Sequence, residues 1–228
     1  MNESIELNIA KVQQRIRAAE KKYDRLPNSV ALMAVSKTRP ATAIRQAVAA
    51  GISDIGENYL QEALDKQSQL SDLNICWHFI GPIQSNKTRP IAEHFDWVHS
   101  VDRLKIAQRL NDQRPAHLPP LNVCLQLNVS NEDSKSGVAL EELAALVASV
   151  APLNNLTLKG VMAIPKPEDG TQGSRQAFKT VSRTVTKLQS TIGKLDTLSM
   201  GMSGDMEAAI AEGATIVRVG TDIFGKRQ

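Results

Sequence analysis

A lysine stands directly after the first apolar run that is typical of a buried strand. The run Val30–Val35 continues as Ser36-Lys37-Thr38. An amine partly withdrawn from water loses part of its preference for the charged form, and the neutral amine condenses with a carbonyl to give an imine. Lys37 is therefore a candidate for covalent binding of an aldehyde or ketone. By its position alone, a solvent-facing lysine that opens a loop is the simpler interpretation.

Two later corners of the chain carry residues suited to an anion. Ser203 and Gly204 precede a helical segment, and Gly220 and Thr221 follow the last apolar run. Backbone N–H groups at a helix start, together with the helix dipole and a hydroxyl, favour a phosphate. A helix cap followed by an ordinary glycine turn is the structural alternative. Combined with Lys37, the two corners predict a phosphorylated aldehyde or ketone as the ligand.

Arg218 lies inside the last apolar run, between Val217 and Val219. Alternation along a strand places its side chain on the face opposite to both valines, where an unpaired guanidinium is costly. The arginine therefore needs an acceptor. A structural carboxylate and a ring nitrogen of a ligand are both compatible with this position.

The elements that must position these residues alternate between short β-branched or aromatic runs and longer helical segments. After an opening helix in residues 4–23, we predict eight strands, at Val30–Val35, Ile52–Ile55, Ile75–Ile80, Trp97–Val101, Val123–Val129, Leu158–Ile164, Leu198–Met202 and Ile216–Val219. Helices are predicted at Ala41–Ala50, Glu57–Leu70, Leu104–Asn111, Leu140–Val150, Arg175–Thr191 and Asp205–Glu212. The segment Ile83–Glu93 is less defined, because Pro90 should kink or interrupt a helix there.

This alternation predicts the fold class. Each crossover helix returns the chain to the same end of the sheet, so the strands should be parallel. Eight units in 228 residues favour a single (β/α)8 TIM barrel of the α/β class over residues 1–228, with an extra N-terminal helix. An open doubly wound sheet is the weaker alternative, because no G-x-G-x-x-G turn follows the first strand.

Charge and composition exclude several classes of function. The net charge is only +3, from 27 basic and 24 acidic residues that are interspersed, and the aromatic content is 4%, which argues against a nucleic-acid surface. The chain shows no signal peptide and no apolar run of membrane-spanning length. Cys76 and Cys124 lie in apolar runs without a C-x-x-C spacing, and we expect buried structural thiols in a cytoplasmic protein.

Several separated motifs together resemble the family of pyridoxal phosphate homeostasis proteins, which are similar to the barrel domain of alanine racemase standing alone. The resemblance covers essentially the whole chain. Its most specific motif is Trp77–Lys87 (WHFIGPIQSNK). The others are Ala34–Thr38 (AVSKT), Gly56–Tyr59 (GENY), Ser134–Gly137 (SKSG), Gly160–Pro165 (GVMAIP), Ser199–Ser203 (SMGMS) and Arg218–Thr221 (RVGT).

The resemblance implies pyridoxal 5′-phosphate as the cofactor and a role for each matching residue. Lys37 matches the imine-forming lysine, and Arg218 matches the arginine that faces the pyridine nitrogen. Asn58 matches a residue near the phenolic oxygen of the ring, and Met162 a side chain packed against the ring face. The residues that match phosphate-loop positions are Ser203, Gly220 and Thr221. The family pattern has Asp where this chain has Gly204, and a glycine there still supplies its N–H group.

Histidine and lysine residues outside this set have simpler interpretations. His78, between Trp77 and Phe79, is expected to be a hydrogen-bonded structural residue rather than an acid or base. His94 and His99 lack a third ligand, so we expect no metal site. Lys135, in a polar loop, could meet a second anion, although simple solvation explains it as well.

Two functions of different classes remain. One is a carrier that stores pyridoxal phosphate and passes it to apoenzymes that require it, and the other is a weakly active amino-acid racemase. Arginine keeps its proton, so opposite the ring nitrogen it leaves the ring a poor electron sink. Racemases also use a tyrosine supplied by a second domain of the partner subunit, and Tyr59 is the one candidate here. We therefore expect a monomer that binds without efficient turnover, with a class I aldolase for sugar phosphates as a third possibility.

Overall fold

Eight parallel strands close into a barrel in chain order. The structure, a computed structural model, describes residues 4–129, 136–165, 170–192 and 195–226. Each strand pairs with its neighbours in sequence, and the first also pairs with the last. The strands are β1 (Ala31–Val35), β2 (Asp54–Glu57), β3 (Cys76–Phe79), β4 (Trp97–Val101), β5 (Leu121–Leu127), β6 (Leu156–Ala163), β7 (Thr197–Ser199) and β8 (Ile216–Val219). The predicted TIM barrel is confirmed, and each predicted run overlaps one strand.

Helices connect the strands around the outside of the barrel. They are α1 (Ile5–Lys22), α2 (Ala41–Ala49), α3 (Leu60–Gln69), α4 (Thr88–His94), α5 (Leu104–Gln113), α6 (Leu143–Val150), α7 (Gly170–Ile192), α8 (Met206–Ala211) and α9 (Thr221–Phe224). The expected extra helix is α1, which begins after Ser4, whose Oγ accepts a hydrogen bond from the N–H of Leu7 at 3.2 Å. Its buried face packs against the core through Ile9, Val12 and Ile16.

The structure corrects three details of the predicted elements. Pro90 neither kinks nor interrupts a helix, because it is the third residue of α4, within the first turn, where a backbone N–H has no helical acceptor. The helix expected from Glu57 begins at Leu60, since β2 continues through Glu57. A short helix that the sequence did not predict, α9, follows β8.

The barrel has two kinds of interior environment. Apolar side chains fill the layer between strands and helices. Inside the barrel the environment is partly polar, since His99 on β4 and Ser199 on β7 are hydrogen-bonded at 2.9 Å although β5 and β6 lie between these strands in the sheet. Such a bond can only cross the space that the strands enclose.

The register of β1 and β8 places the ends of the first and last strands next to each other. Met33 lies opposite Arg218, and Ala34 lies opposite Val219. The segments that follow both strands therefore emerge side by side at the carboxyl-terminal mouth of the barrel, where barrel enzymes carry their functional groups. Within the described ranges, no helix combines the length and the apolar character that a bilayer span requires.

Candidate functional site

A cavity of about 270 Å³ opens at the carboxyl-terminal mouth of the barrel. Seven of the eight residues predicted for the site line this one cavity: Lys37, Asn58, Ser203, Gly204, Arg218, Gly220 and Thr221. They come from the ends of β1, β2, β7 and β8. The two predicted corners and the predicted lysine are therefore brought together, although they are far apart along the chain.

Met162 is the one predicted site residue that the structure does not place on the cavity wall. Its side chain is buried on β6, in register with Gln126 and Ser199. Two residues further along the chain, just past the end of β6, the exposed Ile164 lies closer to the mouth and lines the cavity. Contact between Met162 and a ligand ring stays a prediction.

Further residues of the wall were not predicted. Arg39 lines the cavity, and its Nη2 donates hydrogen bonds to the carbonyl oxygens of Gly225 at 2.6 Å and Lys226 at 2.9 Å. This contact holds the segment after α9 against the segment after β1. The signal that could have revealed Arg39 is its position two residues after Lys37, in the same loop.

The charge of the wall suits an anion. Three cationic side chains line the cavity, those of Lys37, Arg39 and Arg218, and the described residues of the wall include no carboxylate. A low-dielectric concave wall strengthens the field of such charges relative to bulk water. The cavity is therefore electrostatically matched to a phosphorylated ligand.

A buried charged cluster fixes the residue that precedes Lys37. Lys66 on α3 donates from Nζ to the carbonyl oxygen of Ser36 at 2.7 Å and to Oε1 of Glu57 at 2.6 Å. The hydroxyl of Ser36 donates to the same Glu57 oxygen at 2.5 Å. Burial raises the pKa of Glu57, and its contacts with Lys66 and Ser36 oppose that rise.

The same cluster fixes the residue that follows Lys37. Thr38 has a φ of 64°, a left-handed conformation that β-branched residues rarely adopt. Its N–H donates to Oε1 of Glu62 at 2.5 Å, and this carboxylate also accepts from Lys66 at 2.6 Å. The backbone on both sides of Lys37 is thus held by groups from β2 and α3, which restricts where its side chain can reach.

Arg218 is buried, and its acceptors among the described residues are neutral. Its Nη1 donates to the carbonyl oxygen of Ser199 at 2.5 Å and to Oγ of Ser199 at 2.9 Å, and Nη2 donates to the carbonyl oxygen of Ala163 at 3.1 Å. Burial lowers its pKa to about 10, so the guanidinium remains charged at neutral pH. A structural carboxylate was one expected partner. Among the described residues no carboxylate hydrogen-bonds the guanidinium, although the carboxylate of Asp205 attracts it electrostatically.

Asn58 presents a polar atom without a partner. Its Oδ1 is buried and has no hydrogen bond within the described part of the chain. Buried polar atoms are nearly always satisfied, so a ligand group at this position would complete the site. The backbone of Asn58 also packs closely on Gly81 of the Trp77–Lys87 motif, where a Cβ would lie 2.0 Å from the Asn58 carbonyl oxygen.

His78 does not reach the cavity. It is buried inside the barrel, with Nε2 at 3.0 Å from Oδ1 of Asp54 and Nδ1 at 2.9 Å from Nε2 of His99. The prediction of a hydrogen-bonded histidine is confirmed. Burial and the nearby carboxylates of Asp54 and Asp96 raise the pKa of the neighbouring Cys76 thiol to about 12, which keeps it protonated.

Asp54, Cys76 and His78 are the one group of metal-ligand type found among the described residues. Within this group, Oδ1 of Asp54 and Nε2 of His78 are already hydrogen-bonded to each other at 3.0 Å. Lys135 lies outside the described residues.

Comparison with known sequences identifies close relatives. A family model described as the alanine racemase N-terminal domain matches residues 7–228. A protein of Pseudomonas aeruginosa named pyridoxal phosphate homeostasis protein is 64% identical over 220 residues, which cover 96% of this chain and 94% of that protein. The protein of the same name from Escherichia coli K12 is 52% identical over 223 residues, which cover 96% and 95%.

Solved structures share the barrel. PipY of Synechococcus elongatus, solved with pyridoxal phosphate bound, superposes with a TM-score of 0.87 at 37% identity and covers 97% of this chain and 100% of its own. The alanine racemase of Corynebacterium glutamicum superposes with a TM-score of 0.67 at 16% identity, over 98% of this chain and 61% of the racemase. The likeness to the racemase is one of fold.

The cluster behind Lys37 yields a prediction about stability. Lys66→Met leaves the Glu57 carboxylate buried without its cation, and we expect the free energy of unfolding to fall by about 3–5 kcal/mol, measured by urea denaturation. The double variant Glu57→Gln/Lys66→Met removes the isolated charge and should recover part of this loss. A double variant less stable than Lys66→Met would contradict the assignment. Arg45→Met, which breaks an exposed pair with Asp72, is the control and should change little.

A second prediction concerns the pH dependence of stability. Burial lowers the pKa of His99 well below its ordinary value, so the folded protein leaves this ring neutral where the unfolded chain protonates it. The unfolded state then binds more protons below about pH 6.5, and stability should fall on acidification, by up to about 1.4 kcal/mol per pH unit from this group. His99→Gln should show a shallower loss between pH 6.5 and 5 in urea denaturation. Identical slopes in the two proteins would show that His99 titrates normally.

Proposed function

This chain belongs to the family of alanine racemase N-terminal domains, and on that premise we propose that it binds pyridoxal 5′-phosphate as an imine on Lys37. The observation that carries the proposal is the convergence of Lys37, Arg218 and the two predicted phosphate corners on one cavity. A relative that shares the fold at 37% identity was solved with this cofactor bound. The proposed role is pyridoxal phosphate homeostasis, as in the names of relatives that are 52–64% identical.

The residues of the cavity fit the cofactor. The orphaned Oδ1 of Asn58 marks a place for a hydrogen-bond donor of a ligand, and the amide Nδ2 of the same side chain would donate to the phenolic oxygen of the ring. Gly204 has open space around the position of a Cβ, so the corner after β7 leaves room for a phosphoryl group. Ser203 and Thr221 would supply hydroxyl donors to that group, and Gly204 and Gly220 backbone N–H donors.

Arg218 would face the pyridine nitrogen and decide how the bound cofactor behaves. A bound pyridoxal ring supplies an electron-withdrawing system joined to the imine, and its strength depends on protonation of the ring nitrogen. The guanidinium, charged at neutral pH, donates a hydrogen bond and does not transfer its proton. The described residues of the wall include neither a carboxylate nor a tyrosine, and Tyr59 is 54% exposed and does not line the cavity. These features favour holding the cofactor over racemisation.

We extend the proposal to the setting of the protein. It would carry the cofactor in the cytoplasm as a monomer and pass it to apoenzymes that require it. Two free cysteines, one of them fully buried, are typical of a reducing compartment. An exposed edge of the cavity that includes Met202 and Ile164 leaves the ligand reachable by a recipient protein.

The covalent site is tested by adding the cofactor and following visible absorbance. We expect the protein to turn yellow, and reduction with borohydride followed by peptide mapping to place the adduct on Lys37. Lys37→Met should lose the covalent chromophore, because the remaining contacts bind without an imine. Lys105→Met, an exposed lysine of α5, is the matched control and should behave as the unaltered protein. An adduct retained by Lys37→Met, or a protein that never takes up the cofactor, would overturn the proposal.

The same preparation separates carrier from enzyme. Loaded protein should restore activity to a pyridoxal phosphate apoenzyme and should form no D-alanine from L-alanine at ordinary enzymatic rates. Racemisation at such rates would assign the protein to catalysis instead. A colourless protein that traps a sugar phosphate on Lys37 under borohydride would favour the aldolase alternative.

A further inference from the structure

A continuous chain of hydrogen bonds runs through the barrel below the cavity. Nη1 of Arg218 lies 2.9 Å from Oγ of Ser199, which lies 2.9 Å from Nδ1 of His99. Nε2 of His99 lies 2.9 Å from Nδ1 of His78. Nε2 of His78 lies 3.0 Å from Oδ1 of Asp54. We call Ser199, His99, His78 and Asp54 the interior chain. It connects Arg218 to the opposite end of the barrel.

When both rings are neutral, the two ends of this series impose one direction on every bond. The guanidinium of Arg218 can only donate, and the carboxylate of Asp54 can only accept. A neutral His78 that donates from Nε2 to Asp54 must accept at Nδ1, so His99 donates to it from Nε2. A neutral His99 then accepts at Nδ1, and the hydroxyl of Ser199 donates there. Both histidines are therefore Nε2–H tautomers.

This direction has a consequence for Arg218. Because the hydroxyl proton of Ser199 points to His99, a lone pair of Oγ is left for Nη1 of Arg218. With the hydroxyl proton turned the other way, Oγ would present a donor to a donor. The fixed direction thus holds one edge of the guanidinium to β7 and leaves its remaining N–H groups for the cavity that Arg218 lines.

Packing keeps the rings of the interior chain in place. The ring of His78 stacks on Trp97 with a centroid separation of 5.6 Å and an interplanar angle of 17°. Trp97 also stacks on His99, at 5.7 Å and 30°. Asp54, the first residue of β2, has a side chain that is 32% exposed, so water reaches the end of the series far from the cavity.

We propose that the interior chain is a positioning device, in which Asp54 acts on ligand affinity through Arg218 from the opposite end of the barrel. The inference rests on the proposed function, because the affinity in question is that for pyridoxal phosphate. It assigns no proton transfer to the histidines. Their role is to orient the hydroxyl of Ser199. Because Asp54 accepts at one end of the series, the hydroxyl donates to His99, and its oxygen is left to accept from Arg218.

The first test compares variants at the far end of the chain of bonds. Asp54→Leu removes the terminal acceptor, and we expect the apparent Kd for pyridoxal phosphate to rise about three- to tenfold. Asp54→Asn keeps an acceptor oxygen for His78 and should remain within about twofold of the unaltered protein. Ser199→Ala should match Asp54→Leu. Thr197→Val, which removes a buried hydroxyl on the same strand outside the interior chain, is the control and should bind normally.

A double-mutant cycle separates positioning from general structure. In an Arg218→Lys background, Asp54→Leu should no longer raise the Kd for pyridoxal phosphate, because the guanidinium through which Asp54 acts has been removed. An equal rise in Kd in both backgrounds, or a normal Kd for Asp54→Leu, would overturn the inference while leaving the proposed function intact. An unaltered protein that does not bind pyridoxal phosphate would instead contradict the proposed function.

A measurement on the unaltered protein needs neither cofactor nor stable interior variants. Nitrogen-15 spectra of labelled histidine distinguish the two neutral tautomers and the charged ring, and His94→Gln and His117→Gln assign the two residues outside the interior chain. The remaining two rings should both be neutral Nε2–H tautomers at pH 7.5. An Nδ1–H tautomer or a charged ring at either position would reverse the direction of the bonds and overturn the inference.

Discussion

A guanidinium enclosed by a parallel barrel constrains the whole site. Arg218 is held by two carbonyl oxygens and one hydroxyl, and no carboxylate among the described residues hydrogen-bonds it, although Asp205 attracts it electrostatically. Its charge persists at neutral pH because its pKa, although lowered by burial, is about 10. The cavity is consequently positive, suits a phosphorylated ligand and offers a donor to a ring nitrogen. The same donor would leave that nitrogen unprotonated, which favours a carrier over a catalyst.

The barrel geometry puts this arginine beside Lys37, the lysine proposed to form the imine. β1 and β8 are neighbours in the closed sheet, and their register sets Met33 opposite Arg218. The chain therefore leaves β1 toward Lys37 at the same mouth where it leaves β8 toward Gly220 and Thr221, the second of the two proposed phosphate corners. The cluster of Glu57, Glu62 and Lys66 then fixes the backbone on both sides of the lysine. The lysine proposed for covalent attachment and the arginine that supplies charge to the cavity are therefore held by different elements of one barrel.

Much of this arrangement could be predicted from local sequence patterns. The period of apolar residues revealed eight strands, and residues just after them, such as Lys37 and Thr221, face the mouth because parallel strands end there. Local patterns could not reveal contacts between distant residues. His99 and Ser199 are 100 positions apart, and their hydrogen bond depends on how far each strand extends into the barrel. That Met162 lies deeper than the cavity wall could not be predicted for the same reason, since its depth along β6 is set by register.

We propose that Arg218 faces an unprotonated ring nitrogen of pyridoxal phosphate in this cavity, and nitrogen-15 spectroscopy of the protein loaded with ring-labelled cofactor can observe that nitrogen. We expect a resonance of the unprotonated pyridine type at neutral pH, which moves when Arg218 is replaced by lysine. A protonated pyridinium resonance, or a signal unchanged by that replacement, would show that Arg218 does not hold the ring nitrogen in this way.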